Sequence, residues 1–376
     1  MVGNVSDASM TAKIDKSMKR LPLPGERGRK TFLSIQYLRA FAAISVLIFH
    51  ATTTDGYSLF GWTGFYHGHH GVDVFFVISG FIMFTAARGE GVANFLLARL
   101  FRIYPLYWIA LLLTVILSLC TTSYGLSGRE LFASILLWPR YSFGHPDQIW
   151  PILVPGWTLT YELFFYIVFA IGISLKRVVM FPTTFLIALI GMGLVVDFKI
   201  APMVVATNPI LAEFVVGLWI GVIVSRRTLS IPSVAVAWGV LALSFWLLNW
   251  TMALVMANAA GIVATALAME PVFQRKKFAS LKLLGDASYS IYLVHVLVLG
   301  LPQTFFPDKF INLDVISRGS LVLFMIFSAI ATGIVVHLMI EKPIVRNLRP
   351  VSMHIIKILT QNKIYDNSDS VKSADT

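Results

Sequence analysis

Ten stretches of this 376-residue chain are nearly unbroken apolar runs, each close to the ~20 residues that a helix needs to cross a bilayer. They cover residues 33–51, 71–87, 104–120, 157–174, 178–196, 209–225, 233–249, 252–270, 287–303 and 319–340, with short polar or charged breaks between them. A segment in hydrocarbon has no water to satisfy its backbone N–H and C=O groups, so it must be a helix or a strand of a closed barrel. Barrel strands alternate apolar and polar residues, and these runs do not. The expectation is an all-α polytopic membrane protein with about ten transmembrane helices. Composition agrees, since 57% of the residues are apolar and only 13% are charged, where a soluble domain carries about 25% charged residues. A soluble enzyme is all but excluded. The stretch from Leu131 to Trp138 is too short to cross and reads as a re-entrant or interfacial piece before the Pro- and Trp-rich loop from Pro139 to Pro155.

The net charge of +11 fits either nucleic-acid binding or membrane topology, and the positions of the basic residues decide. Most of the 30 Lys and Arg lie in the tail that ends at Lys30, in the even-numbered loops and in the tail from Lys342 onward. The odd-numbered loops hold only Arg129, Arg140, Lys199, Lys309 and Arg318. Cytoplasmic loops carry such an excess, so both termini are assigned to the cytoplasm and no nucleic-acid partner is expected. Residues 1–32 then form a basic cytoplasmic tail without a cleavable signal, and 33–349 the ten-helix membrane domain. Residues 350–376 form a cytoplasmic tail, a surface helix followed by disordered chain. The single cysteine, Cys120, leaves no intrachain disulfide and no cysteine-based metal site.

Ionisable groups inside hydrocarbon are costly unless paired or facing a cavity, which makes each a functional candidate. Arg39 and His50 fall on the first run, Asp73 on the second, Glu162 on the fourth, Glu213 on the sixth, His295 on the ninth and His337 on the tenth. Eleven positions separate Arg39 from His50, three helical turns plus roughly 20°, so they share one face with a rise of about 16 Å between them. Arg99 and Arg102 project to one side of a helix just before the third run, at the cytoplasmic surface, where two guanidinium forks suit a phosphate. Ordinary positive-inside placement explains such a pair as well. Trp157 and Tyr161 suit either a sugar face or the interfacial aromatic belt. Ser288, Tyr292 and His295 line one stripe of the ninth run, as cavity wall or as packing glue. His67, His69 and His70 have no recognised metal spacing, so no metal is expected. Gly217 and Gly221 form one small-xxx-small pair, a weak sign of close helix contact.

Several of these residues sit in motifs that resemble the membrane-bound acyltransferase 3 family. Ile35-Gln-Tyr-Leu-Arg39 with ten residues before His50 resembles its first signature, and Gly71-Val-Asp73-Val-Phe-Phe-Val-Ile-Ser79-Gly80-Phe81 its second. Arg99-Leu-Phe-Arg102 resembles its basic pair, and Trp157-Thr-Leu-Thr-Tyr161-Glu162 its Trp-x-Leu-x-x-Glu. Leu284-Gly-Asp-Ala-Ser288-Tyr-Ser-Ile-Tyr292-Leu-Val-His295 and Glu341-Lys-Pro343 complete the order. The resemblance runs from about residue 33 to 349 and is nearest to bacterial exopolysaccharide O-acetyltransferases, with nodulation-factor acetyltransferases next. Thr158 stands where many members carry Ser.

That resemblance implies O-acylation, most often O-acetylation, of a carbohydrate hydroxyl with cytoplasmic acyl-coenzyme A as co-substrate and no bound cofactor. It implies the bacterial inner membrane as location and an exopolysaccharide or a lipid-linked repeat unit as acceptor, with polysaccharide assembly proteins as further partners. An esterase-like domain fused to some members is not expected. His50 is expected as general base or as an acyl-histidine nucleophile. Arg39 binds the donor or holds the oxyanion, Glu162 orients His50 or the sugar, and Arg99 with Arg102 holds the coenzyme phosphates. Asp73, Ser79, Trp157, Tyr161, Ser288, Tyr292 and His295 are further cavity candidates. The competing classes are a proton-coupled transporter or flippase of saccharides, in which Glu162, Glu213 and His50 relay protons, and a non-catalytic scaffold.

Overall fold

The computed structural model describes residues 31–53, 64–86, 91–121, 127–247, 251–305, 315–348 and 350–351. The basic tail before residue 31 and the chain after residue 351 lie outside the described residues. Every described element is helical. In chain order they are α1 (Leu33–Thr53), a short 3-10 turn (Tyr66–His70), α2 (Gly71–Ala86), α3 (Val92–Thr121), α4 (Gly128–Leu136), α5 (Gly156–Ser174), α6 (Met180–Val195) and α7 (Ala201–Ala206). There follow α8 (Leu211–Arg226), α9 (Ile231–Leu247), α10 (Thr251–Ala268), α11 (Glu270–Arg275), α12 (Ala279–Asp286), α13 (Ser288–Phe305) and α14 (Val315–Val336), which a π turn, His337–Glu341, extends.

Among the described residues each of the ten apolar runs is mainly helical. Among the described residues seven helices are long and apolar enough to cross a membrane, and eight if α12 and α13, bent by 67° where they meet, make one span. Met180–Val195 and Ile231–Val240 are apolar but shorter. At 1.5 Å per residue the 16 residues of α6 cover about 24 Å, less than the ~30 Å of a bilayer core. The chain is a multi-pass membrane protein.

Two features of the packing position the polar residues. α2 and α8 meet backbone to backbone: a Cβ added to Gly80 would stand 2.0 Å from the Phe214 carbonyl oxygen, and one on Gly217 would stand 2.0 Å from that of Val77. Only a residue without a side chain permits this approach. Gly221, by contrast, meets the Phe84 ring, so Gly217 is the member of the small-residue pair that sets the helix separation. The second feature is the fixing of α1, which carries both Arg39 and His50. The carboxylate of Glu270 in α11 accepts hydrogen bonds from the backbone N–H groups of Leu33 (3.0 Å) and Ser34 (2.8 Å), satisfying two of the donors that a helix start leaves open. Gly285 of α12 lies against the Gln36 carbonyl, and the Tyr37 hydroxyl accepts from Phe278 N–H at 2.8 Å. No local sequence signal announces the Glu270 cap, because it comes from the far end of the chain.

The short apolar stretch expected to be interfacial is α4. Its last carbonyls are satisfied from one face of α3: Tyr104 donates to Leu136 (3.0 Å), Tyr107 to Ser134 (2.7 Å) and Trp108 to Ile135 (3.0 Å). Positions i, i+3 and i+4 of a helix share a face, which is why Tyr104, Tyr107 and Trp108 reach three successive carbonyls. The left-handed Leu137 then ends the helix.

Candidate active site

Arg39 of α1, Arg99 and Arg102 of α3 and Glu162 of α5 open into one cavity. Arg39 and Arg99 are buried, and the Arg99 guanidinium lies 5.8 Å from the centre of the Phe95 ring, a cation–π distance. Arg99 and Arg102 precede the third apolar run, but the helix that carries them starts earlier than that run. α3 begins at Val92, so both are part of it and both line the cavity. An apolar-run search starts a helix where charge stops, whereas the backbone continues through charged residues that have a cavity to face.

Glu162 is held by two donors on the same oxygen: Ser79 Oγ at 3.0 Å and the Tyr166 hydroxyl. Tyr166 lies one turn beyond Glu162, and that spacing was the only signal by which the sequence could have shown it. Ser288, fully buried, lines the same cavity, and its Oγ has no hydrogen-bond partner among the described residues. Tyr289 also lines the cavity and donates its hydroxyl to the Ile103 carbonyl at 2.8 Å. The cavity thus gathers three arginines against one carboxylate in its lining, with the buried Ser288 hydroxyl beside them. Within bonding reach such a surface favours a polyanion.

His50 is not part of that wall. It sits three turns further along α1, beside His295 of α13, the ring centres 5.0 Å apart and His295 Nε2 3.2 Å from His50 Nδ1. Tyr292 lies between the two places: it lines the cavity, and its ring centre is 5.8 Å from that of His295. The Tyr292 hydroxyl is 3.1 Å from Thr158 Oγ1 and donates to the Pro155 carbonyl at 3.2 Å, which ties α13 to the start of α5. Thr158 keeps the hydroxyl that this link needs. Glu162 accepts both of its bonds on Oε1, from Ser79 and Tyr166, and lines the cavity that His50 does not.

The other candidates are placed elsewhere. Asp73 accepts from His70 Nδ1 at 2.9 Å and faces the buried Glu213. Trp157 packs edge-on against Tyr161 and Phe76, and the Tyr161 hydroxyl accepts from Asn208 Nδ2 at 3.2 Å. His337 and Ser290 both bond the Glu341 carboxylate, at 2.8 and 2.6 Å. The closing Glu-x-Pro motif is thereby joined to the α13 motif, a link that neither segment discloses alone. Among the described residues no three His, Cys, Asp or Glu gather as a metal set.

The described residues thus form a helical membrane bundle with a cationic cavity and, beyond it, a histidine pair. A family model described as an acyltransferase domain matches residues 32–338, and the chain belongs to that family, acyltransferase family 3; it is an acyltransferase. It is 32% identical over 334 residues to the exopolysaccharide production protein ExoZ of Rhizobium meliloti, an alignment covering 81% of this chain and 96% of that protein. It is 26% identical over 367 residues to the acyltransferase MdmB of Streptomyces mycarofaciens, covering 85% of this chain and 94% of the other. No solved structure matches the chain.

Proposed function

We propose that this enzyme transfers an acetyl group from cytoplasmic acetyl-coenzyme A to a hydroxyl of a cell-surface polysaccharide or its lipid-linked precursor. In this reading residues 33–349 form the catalytic domain in the bacterial inner membrane, and the tails 1–32 and 350–376 lie in the cytoplasm. The observation that carries it is the gathering of Arg39, Arg99 and Arg102 in one cavity of an acyltransferase. A coenzyme A thioester is a polyanion at one end and a neutral arm at the other. Its phosphates suit the arginines, with charge-assisted bonds worth about 1.5–3 kcal/mol each. Glu162 repels phosphate and accepts N–H groups, so the amides of the arm belong beside it. The thioester then travels past Tyr292 toward His50, about 16 Å along α1 from Arg39. A saccharide acceptor draws support from the name of the Rhizobium relative.

In the reaction, His50 takes the proton of the acceptor hydroxyl as its oxygen attacks the thioester carbonyl. The C–S bond breaks, the ester forms, and His50 returns the proton to the departing thiolate. Protons and electrons balance without any further reactant.

The test is release of coenzyme A thiol by purified protein given acetyl-coenzyme A, with and without oligosaccharide from the producing cell. Thiol release that depends on the saccharide, with a matching gain of one acetyl mass, is the expected result. Saccharide transport without acetylation would sink the proposal. In the same assay Arg102→Ala raises KM for acetyl-coenzyme A by about tenfold or more, since one charge-assisted contact is worth at least about 1.4 kcal/mol. An unchanged KM would remove Arg102 from the donor site.

A further inference from the structure

His295 is buried, and its two ring nitrogens have separate, identifiable partners. Nδ1 lies 2.6 Å from the Tyr292 carbonyl oxygen. A carbonyl can only accept, so Nδ1 carries the hydrogen and the lone pair of the neutral ring is on Nε2. His50 repeats the arrangement: its Nδ1 lies 3.0 Å from the Val46 carbonyl and so also carries its hydrogen. The contact between the rings runs from His50 Nδ1 to His295 Nε2 at 3.2 Å. His50 is therefore the donor and His295 the acceptor, with the His50 N–H shared between Val46 and His295. The reverse direction would set two acceptors, His50 Nδ1 and the Val46 carbonyl, against each other. It would also require a doubly protonated His295, and His50 is the only titratable group among the described residues that acts on it.

The geometry points to His295 as the positioning residue of His50: by accepting the Nδ1 hydrogen it holds the tautomer whose Nε2 lone pair meets the acceptor hydroxyl, and it shares the charge when Nε2 takes the proton. This rests on His50 acting as the base, as proposed above. A carboxylate in this place would bring a full negative charge to a position where, among the described residues, no Lys or Arg acts. A neutral imidazole supplies the same acceptor and keeps the site uncharged between turnovers. Tyr292 contributes twice, its carbonyl fixing His295 and its ring standing between the pair and the arginine cavity that it lines.

Two substitutions of equal length separate this role from packing. In His295→Gln an amide oxygen can accept the His50 N–H; His295→Met fills similar space without a strong acceptor. With the full-length protein, acetyl-coenzyme A and the oligosaccharide, His295→Met is expected to lose about 10²-fold or more in kcat, with KM for acetyl-coenzyme A within about twofold of wild type. His295→Gln recovers at least about tenfold of that loss. A kcat within about threefold of wild type in His295→Met overturns the inference, and so does a His295→Gln protein no better than His295→Met. Should His295→Met not elute as a single species, His295→Phe takes its place in the comparison. A fully active His50→Ala defeats the role of His50 in the reaction, and with it this inference; an inactive His50→Ala beside a fully active His295→Met defeats only the positioning role.

Discussion

His50→Ala is expected to lower kcat for acyl transfer by about 10³-fold or more while leaving KM for acetyl-coenzyme A within about twofold. The separation of the two effects follows from the geometry. The cationic groups to which the proposal assigns the donor open into a cavity that His50 does not line, and about 16 Å of α1 lies between Arg39 and His50. Removing the imidazole takes away the base and leaves the arginines where they were. Because the alanine side chain is smaller and the helix continues for three residues beyond His50, the fold should survive; elution as a single species checks this. Initial rates of thiol release give kcat and KM together. Wild-type turnover by the variant would rule out both a base and an acyl-histidine at this position. The same assay separates those two chemistries, since an acyl-histidine gives ping-pong kinetics and a trapped acetyl-protein on quenching, whereas a base gives neither.

A second large effect is structural. Gly80→Leu is expected to abolish recovery of folded protein, because its Cβ would stand 2.0 Å from the Phe214 carbonyl oxygen and 2.9 Å from its carbon. Crowding against a side chain can be relieved by a rotamer change, and typically costs about 1–3 kcal/mol. Here the obstacle is the backbone of α8, so the two helices must part along their length. That movement would carry Ser79, next to Gly80, away from Glu162, to which it donates across the bundle. Gly217→Leu repeats the clash from the other side, against the Val77 carbonyl. Gly191→Ala is the control: nothing stands within 4 Å of its added Cβ, and alanine favours a helix by about 0.8–1.0 kcal/mol over glycine. Detergent-solubilised size-exclusion profiles decide the matter. A single sharp peak with wild-type thermal stability for Gly80→Leu would show that the close contact does not hold the bundle together.

How far the site could be read in advance differs from residue to residue. Arg39 and His50 were recognisable because a charged or polar residue in an apolar run is conspicuous against its neighbours, and their eleven-residue spacing fixes a shared face. Arg99 and Arg102 were recognisable as a pair, but the start of the helix that carries them was not, since hydropathy marks where apolar residues begin and not where a helix does. Tyr166 and Tyr289 carry no charge to set them apart from the apolar runs that hold them; only a facing Glu162 or Ile103 carbonyl gives either one a task. Trp157 and Tyr161 fitted a sugar platform or an aromatic belt equally well, and the structure packs them against Phe76.

The sequence by itself determined the helices, the class of membrane protein and the short inventory of polar groups, because run length, charge placement and helical periodicity are properties of the chain read in one dimension. Periodicity says which residues share a face of a helix, and it is silent about what that face meets. Only the tertiary structure decided that Arg39 joins Arg99, Arg102 and Glu162 in one cavity while His50, on the same face of the same helix, meets His295 across a sequence separation of 245 residues. Two groups about 16 Å apart on α1 look out at different neighbours, and those neighbours come from α3, α5 and α13, whose positions beside α1 are set by packing, down to contacts as close as that of Gly80 with Phe214.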